Sequence, residues 1–161
     1  IMSTKKATFP VDISRTDVTS TVVAAILGSI TFGITMSLTM GEVLFTAIPG
    51  MYGFEGVSRT AAIFVGWAIH LSHGTVLGLI FGVAVTVVPE CGERLKYGFL
   101  AGVAYGIVLW VALASLLMPF WVGQAMSIDP PVPDWRLWSL LGHVLYGAFL
   151  GLLIPLYRRY E

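Results

Sequence analysis

The stretch Gly66–Gly82, GWAIHLSHGTVLGLIFG, decides the fold. It carries no charged side chain, and it is apolar enough to lie in a membrane. Small residues recur at every fourth position but one, where a histidine stands instead: Gly66, His70, Gly74, Gly78 and Gly82. Residues four apart lie on one face of an α-helix. The pattern therefore predicts a membrane helix with a glycine face that is interrupted by His70.

The rest of the chain has the same character. Hydrophobic residues make up 57% of the 161 residues and charged residues only 11%, and the mean hydropathy is +0.86. Long apolar runs recur along the whole chain, so one removable signal peptide does not account for them. The runs do not alternate as the strands of a barrel would. We predict an all-α integral membrane protein.

Four runs are long enough to span a bilayer at roughly 20 residues each. They cover about 21–40, 60–88, 98–118 and 137–156, and they form one domain, 17–161, after a cytoplasmic segment, 1–16. Turn-rich sequences separate them: PGMYGFEGVSR, PECGERLK and SIDPPVPDWR.

The basic residues predict the orientation in the membrane. Seven of the nine fall on one side: Lys5, Lys6, Arg15, Arg94, Lys96, Arg158 and Arg159. Arg59 and Arg136 fall on the other side. We therefore expect a multi-pass protein of the plasma membrane with both termini in the cytoplasm.

The chain also repeats itself with an offset of 73 residues. Small residues of the first run match those of the third: Ala25, Ser29 and Gly33 with Gly98, Gly102 and Gly106. The second run matches the fourth: Gly66, His70, Gly74 and Gly78 with Ser139, His143, Gly147 and Gly151. Each repeat holds two spans, so both halves enter the membrane in the same direction. This predicts two parallel two-helix repeats related by a pseudo-two-fold axis along the membrane normal.

His70 and His143 are the candidate site residues, because an ionisable group inside a membrane marks a functional hypothesis. In the simplest interpretation, each imidazole donates a hydrogen bond to a backbone carbonyl or hydroxyl on the next helix, and the possible partners are Ser29, Thr31, Ser37 and Ser115. The histidines then tie a packed bundle together.

Two further interpretations give the histidines a ligand. In one, His70 and His143 are axial ligands of a b-type haem, and Gly74, Gly78, Gly147 and Gly151 make room for the flat ring. In the other, His70, His73 and His143 bind a metal ion or relay protons in a transport path. The sequence leaves the cofactor unknown and these alternatives open.

Other classes of function are disfavoured. The zero net charge and the lack of a basic patch argue against a nucleic-acid partner. No P-loop, GxSxG or HExxH motif occurs, and no paired carboxylates lie inside the spans, so the sequence favours a non-catalytic protein. Cys91 is the single cysteine, and we interpret it as a reduced bystander in the cytoplasmic turn.

At GWAIH…GTVLGLIFG and LGHVLYGAFLGLLIPLY, the chain resembles a broad group of small four-helix membrane proteins of archaea and bacteria. These are largely uncharacterised, and some are labelled histidine kinase. The resemblance covers the four spans but not the first sixteen residues. It implies a small helical bundle with an inward histidine and no activity. The kinase label has no support here, because the chain has no phosphate-binding glycine loop.

The sequence thus predicts a non-catalytic membrane subunit that packs in lipid against other subunits or against itself. Its glycine faces outnumber the needs of four helices, which is the basis for expecting partners. A candidate cofactor site lies at His70 and His143. The alternatives are a haem-binding electron-transfer subunit and, third, a small transporter or metal-binding protein.

Overall fold

The computed structural model describes residues 15–160, and side chains from Val18 onward. The predicted segment 1–16 lies almost wholly outside these residues. Within them the chain is helical and contains no strand. The helices are α1 (Arg15–Thr39), α2 (Ile48–Gly50), α3 (Arg59–Val87), α4 (Pro89–Glu93), α5 (Leu95–Leu109), α6 (Met118–Met126) and α7 (Leu137–Arg158), with two π-helical segments, π1 (Val43–Ala47) and π2 (Trp110–Leu117).

Within the described part of the chain, four helices are long and apolar enough to cross a membrane, as the sequence predicted. They cover Val18–Thr39, Arg59–Val87, Leu95–Met126 and Leu137–Arg158. The third is longer than the predicted 98–118, because α5, π2 and α6 form one continuous helical rod.

Pro119 explains why the π2 segment forms and why the sequence predicted the end of this helix too early. Proline has no N–H, and in an α-helix its ring clashes with the carbonyl four residues earlier. The wider π2 turn precedes Pro119. The carbonyl of Ser115 accepts a hydrogen bond of 2.9 Å from the backbone N–H of Asp134 instead. The helix therefore continues past a residue that normally ends one. Pro49 likewise follows π1.

The bundle has two ends, which we call the terminal end and the loop end. The terminal end holds the start of α1, the end of α7 and residues 88–94. The loop end holds residues 51–58 and 127–136. Helix α3 begins at the loop end, where the Ser58 hydroxyl caps it by accepting from the Ala61 N–H at 3.3 Å.

The helices form an incomplete ring. Helix α7 packs along both α1 and α5, and α1 packs along α3. In contrast, the backbones of α3 and α5 hardly come close to each other in the described residues. A side chain bridges them towards the terminal end, where the Tyr105 hydroxyl donates to the Leu77 carbonyl at 2.7 Å. The ring is left open towards the loop end.

Close packing between α1 and α3 uses the small residues of the first half. A Cβ on Gly78 would meet Ala25, and one on Gly74 would meet the Ser29 hydroxyl. A Cβ on Gly33 would meet the rings of Trp67 and His70. The α1–α3 pairs are therefore 25 with 78, 29 with 74 and 33 with 70.

Helices α5 and α7 approach still more closely, backbone against backbone. A Cβ on Gly98 would meet the Gly151 carbonyl oxygen, one on Gly102 would meet that of Gly147, and one on Gly106 would meet that of His143. These glycine faces therefore make contacts within the chain. The described helices have no surplus glycine face of the kind that the sequence suggested for contact with partner subunits.

The outward surface is apolar. Leu38, Phe64 and Leu137 are 81%, 71% and 75% exposed. Hydroxyl groups along the helices bond to the carbonyl four residues earlier in their own helix, and these are Thr31, Thr35, Ser37, Thr39, Ser72 and Thr75. Such bonds satisfy a hydroxyl side chain within its own helix.

Candidate functional site

His70 is buried in the contact between α1 and α3. Its Nε2 lies 3.0 Å from the Ser29 carbonyl oxygen. Because a carbonyl only accepts, His70 donates from Nε2. The rings of Phe32 and Trp67 meet the imidazole edge-to-face, with centroids at 5.3 and 6.2 Å. This is the inter-helix bond that the simplest interpretation predicted, with a partner it named.

His143 is bonded differently. Its Nδ1 lies 2.7 Å from the Ser139 carbonyl, one turn earlier in its own helix, and not against a neighbouring helix as predicted. Nδ1 therefore carries the proton, and Nε2 of a neutral imidazole is left as an acceptor. Among the described residues nothing bonds to this Nε2. The Phe32 ring contacts His143 as well as His70, with centroids 4.6 Å apart.

His73 belongs to a third environment, nearer the loop end. Its Nε2 is 2.6 Å from the Tyr52 hydroxyl, which comes from the segment after α2. Tyr52 also stacks at a tilt against Trp121 of α6, with centroids 5.3 Å apart. This group joins α3, α6 and the loop end across the opening of the ring.

A cavity of about 540 Å³ fills the space where α3 and the rod of α5, π2 and α6 diverge. All three histidines line it. Val76 of α3 and Leu117 of π2 line it too, and both are well exposed on the outer surface of the bundle. The cavity therefore reaches the apolar outer surface between these two elements.

Methionine is the most distinctive component of the lining. All five methionines among the described residues line the cavity, namely Met36, Met40, Met51, Met118 and Met126. Met126 also lies against Gly50, so that α2 and α6 meet over the loop end. This group was not predicted from the sequence. A signal was present, because these residues all fall on the loop-end side of the predicted first and third spans or just beyond it.

The π segments give the cavity part of its wall. Val43 and Ala47 of π1 line it, as do Leu113, Ala114 and Leu117 of π2. The Leu44 carbonyl of π1 lies directly against Gly66 of α3. π-helical turns frequently occur at functional sites.

Polar residues are a minority of the lining, and one buried hydroxyl among them has no partner in the described part of the chain. The Ser29 side chain is 1% exposed and lines the cavity, and its hydroxyl has no hydrogen-bond partner among the described residues. The Tyr146 hydroxyl, in contrast, donates to the Gly74 carbonyl. Near the loop end the lining includes the ion pair of Arg136 and Asp134, at 2.7 Å.

The arrangement does not fit a haem held by two histidines. The nitrogen that a haem would need from His70 donates its proton to Ser29. The glycines predicted to flank the ring are covered by neighbouring helices: Gly74 by Ser29, Gly78 by Ala25, Gly147 by Gly102 and Gly151 by Gly98. They serve helix packing.

A shared metal site is not formed either. Within residues 15–160, no three His, Cys, Asp or Glu side chains are grouped so that they could hold a metal ion. His70, His73 and His143 line one cavity, but they have separate hydrogen-bond partners.

Comparison with known proteins found no matching family model, curated protein or solved structure. The resemblance to small four-helix membrane proteins therefore stays a prediction, and the site has to be interpreted from its own geometry.

Proposed function

We propose that this protein is a non-catalytic integral membrane protein that binds a lipophilic small molecule in the cavity between α3 and the rod of α5, π2 and α6. The observation that carries the proposal is the cavity itself, which is methionine-lined and reaches the apolar outer surface of the bundle. Its volume of about 540 Å³ falls in the range of small-molecule sites, roughly 300–1,000 Å³.

The composition of the lining supports a flexible apolar ligand. Methionine side chains are unbranched and polarisable, so they adapt to ligands of different shape. The polar groups deep in the cavity include His70, His143, Ser29 and Tyr146, and they are too sparse for a water-filled path. A binding site with a small polar cluster is more consistent with this lining than a transport pathway.

The proposal includes insertion of the four long helices in a bilayer, as two parallel repeats. Support for the repeat comes from contact register. The pairs 25 with 78, 29 with 74 and 33 with 70 in the first half become 98 with 151, 102 with 147 and 106 with 143 when 73 is added. The symmetry is imperfect, since α1 packs on α7 whereas α3 and α5 diverge. The cavity lies at that divergence.

The proposed orientation has both termini and Cys91 in the cytoplasm. Cys91 is the only cysteine, so the native chain reports its own topology. We expect a membrane-impermeant maleimide to label it in permeabilised cells but not in intact ones. A Glu55→Cys, Cys91→Ser variant should be labelled in intact cells, because Glu55 is exposed at the loop end. The opposite pattern would overturn the orientation.

Association with other subunits stays a prediction that the glycine pattern no longer supports. The haem and metal alternatives are not retained, for the geometric reasons given above.

Methionine methyl groups give a direct test of the cavity. In protein labelled with ¹³C at Met and Ala methyls and held in nanodiscs, 4-decylphenol should shift the signals of Met36, Met40, Met51, Met118 and Met126. The methyl groups of Ala104 and Ala112, which face outward, serve as the control for simple bilayer partition. Shifts confined to the outward alanines, or equal in both sets, would contradict binding in the cavity.

A further inference from the structure

We infer that the cavity recognises a hydrogen-bond donor on its lipophilic ligand, so that an alcohol or phenol binds in preference to the matching ether. The inference rests on the proposed function and adds the chemical class of the ligand. It depends on which hydrogen-bonding capacities the protein leaves unused inside the cavity.

Each of the two histidines, His70 and His143, has a ring nitrogen that can still accept a hydrogen bond. The Nδ1–H of His143 goes to the Ser139 carbonyl, so Nε2 of the neutral ring offers a lone pair. The Nε2–H of His70 goes to the Ser29 carbonyl, so its Nδ1 likewise offers a lone pair. Both rings line the cavity. A ligand that carries an N–H or O–H has partners there, whereas a ligand with acceptors alone has none on these rings.

Ser29 supplies a hydroxyl that can donate a hydrogen bond to the ligand. Its hydroxyl is buried and has no hydrogen-bond partner among the described residues, and Ser29 lines the same cavity. Four other hydroxyls of α1, those of Thr31, Thr35, Ser37 and Thr39, bond back to their own helix, so a buried hydroxyl without a described partner calls for an explanation. A hydroxyl both donates and accepts. A ligand hydroxyl can therefore donate to an imidazole nitrogen and accept from Ser29.

The route into this site also follows from the lining. Val76 and Leu117 connect the cavity with the outer apolar surface, between α3 and π2. A lipophilic alcohol dissolved in the bilayer reaches the histidines by this route with its hydroxyl leading, and its apolar part then lies among the methionines. No charged group lines this lateral side; the charged residues of the lining, Glu42, Asp134 and Arg136, lie towards the loop end.

The test compares 4-decylphenol with its methyl ether, 4-decylanisole. Each probe is equilibrated by dialysis between nanodiscs that contain the protein and empty nanodiscs, which cancels partition into lipid alone. We expect the phenol to be enriched about tenfold more than the ether, as one or two hydrogen bonds to otherwise unpaired buried groups would give.

Two variants assign the contacts, and a third is the control. Ser29→Ala should weaken the binding of both probes several-fold, because the ether oxygen accepts from this hydroxyl as the phenol oxygen does. His143→Phe, which keeps an aromatic ring without an acceptor nitrogen, should lower the phenol-to-ether ratio several-fold. Ser115→Ala is the matched control. Ser115 also has a buried hydroxyl with no described partner, but it is not among the residues that line the cavity, so neither the binding nor the ratio should change.

The outcomes separate the two proposals. If neither probe is enriched, the proposed function fails. If both probes are enriched equally, the cavity binds lipophilic molecules and the donor preference is overturned. If the phenol is preferred but Ser29→Ala retains full binding of both probes and His143→Phe retains the full ratio, recognition occurs elsewhere and the inference is likewise overturned.

Discussion

Replacing Gly102 with leucine is expected to prevent the native bundle from forming. The Cβ of residue 102 would fall on the carbonyl oxygen of Gly147, a backbone atom that cannot rotate out of the way. Helices α5 and α7 would have to separate along their whole contact. In lipid, helix association depends on such close packing, since the hydrophobic drive between helices is weak.

The expected loss of stability is large. Overpacking an interior usually costs about 1–3 kcal/mol, and the backbone contact at Gly102 calls for at least the upper end of that range. The effect spreads, because α7 also packs along α1. Unfolding of the protein by SDS, followed by far-UV circular dichroism and tryptophan fluorescence, measures the change.

Ala104→Leu is the matched control for this prediction. Ala104 lies on the same helix, two residues away, with an exposed side chain. The variant adds a comparable leucine on the outward face and should unfold like the wild type. If Gly102→Leu were as stable as Ala104→Leu, the backbone contact between α5 and α7 would be wrong.

The sequence predicted the helices and their contact faces because both follow from local patterns. Apolar runs of spanning length and four-residue spacing of small residues are readable without tertiary information. The pairing of Gly74 with Ser29, and of His70 with the Ser29 carbonyl, lies on the predicted faces. The offset of 73 residues between the two histidines was visible in the same way.

The cavity was not predictable by these means, because it depends on how the helices diverge. The sequence ended the third helix near Pro119, and only the π2 turn and the bond from Asp134 to Ser115 allow it to continue to Met126. Residues of π2 and α6 form the wall of the cavity that faces α3. The bond of His143 to its own helix was also missed, since sequence cannot tell a carbonyl one turn away from one on a neighbouring helix.

Binding of a lipophilic molecule in the cavity is the central claim, and blocking the cavity should nearly abolish binding. Ala114 of π2 lines the cavity, so a phenylalanine there would occupy the volume that the ligand needs. We expect affinity for 4-decylphenol to fall roughly tenfold or more, as an overpacking cost of about 1–3 kcal/mol implies. Ala112→Phe adds the same ring on the same segment to an exposed position and should bind like the wild type.

The most direct measurement is native mass spectrometry of the three proteins released from nanodiscs with 4-decylphenol. We expect one bound probe per chain for the wild type and for Ala112→Phe, and almost none for Ala114→Phe. Equal occupancy of Ala114→Phe and Ala112→Phe, or no bound probe on any of the three, would contradict binding in the cavity.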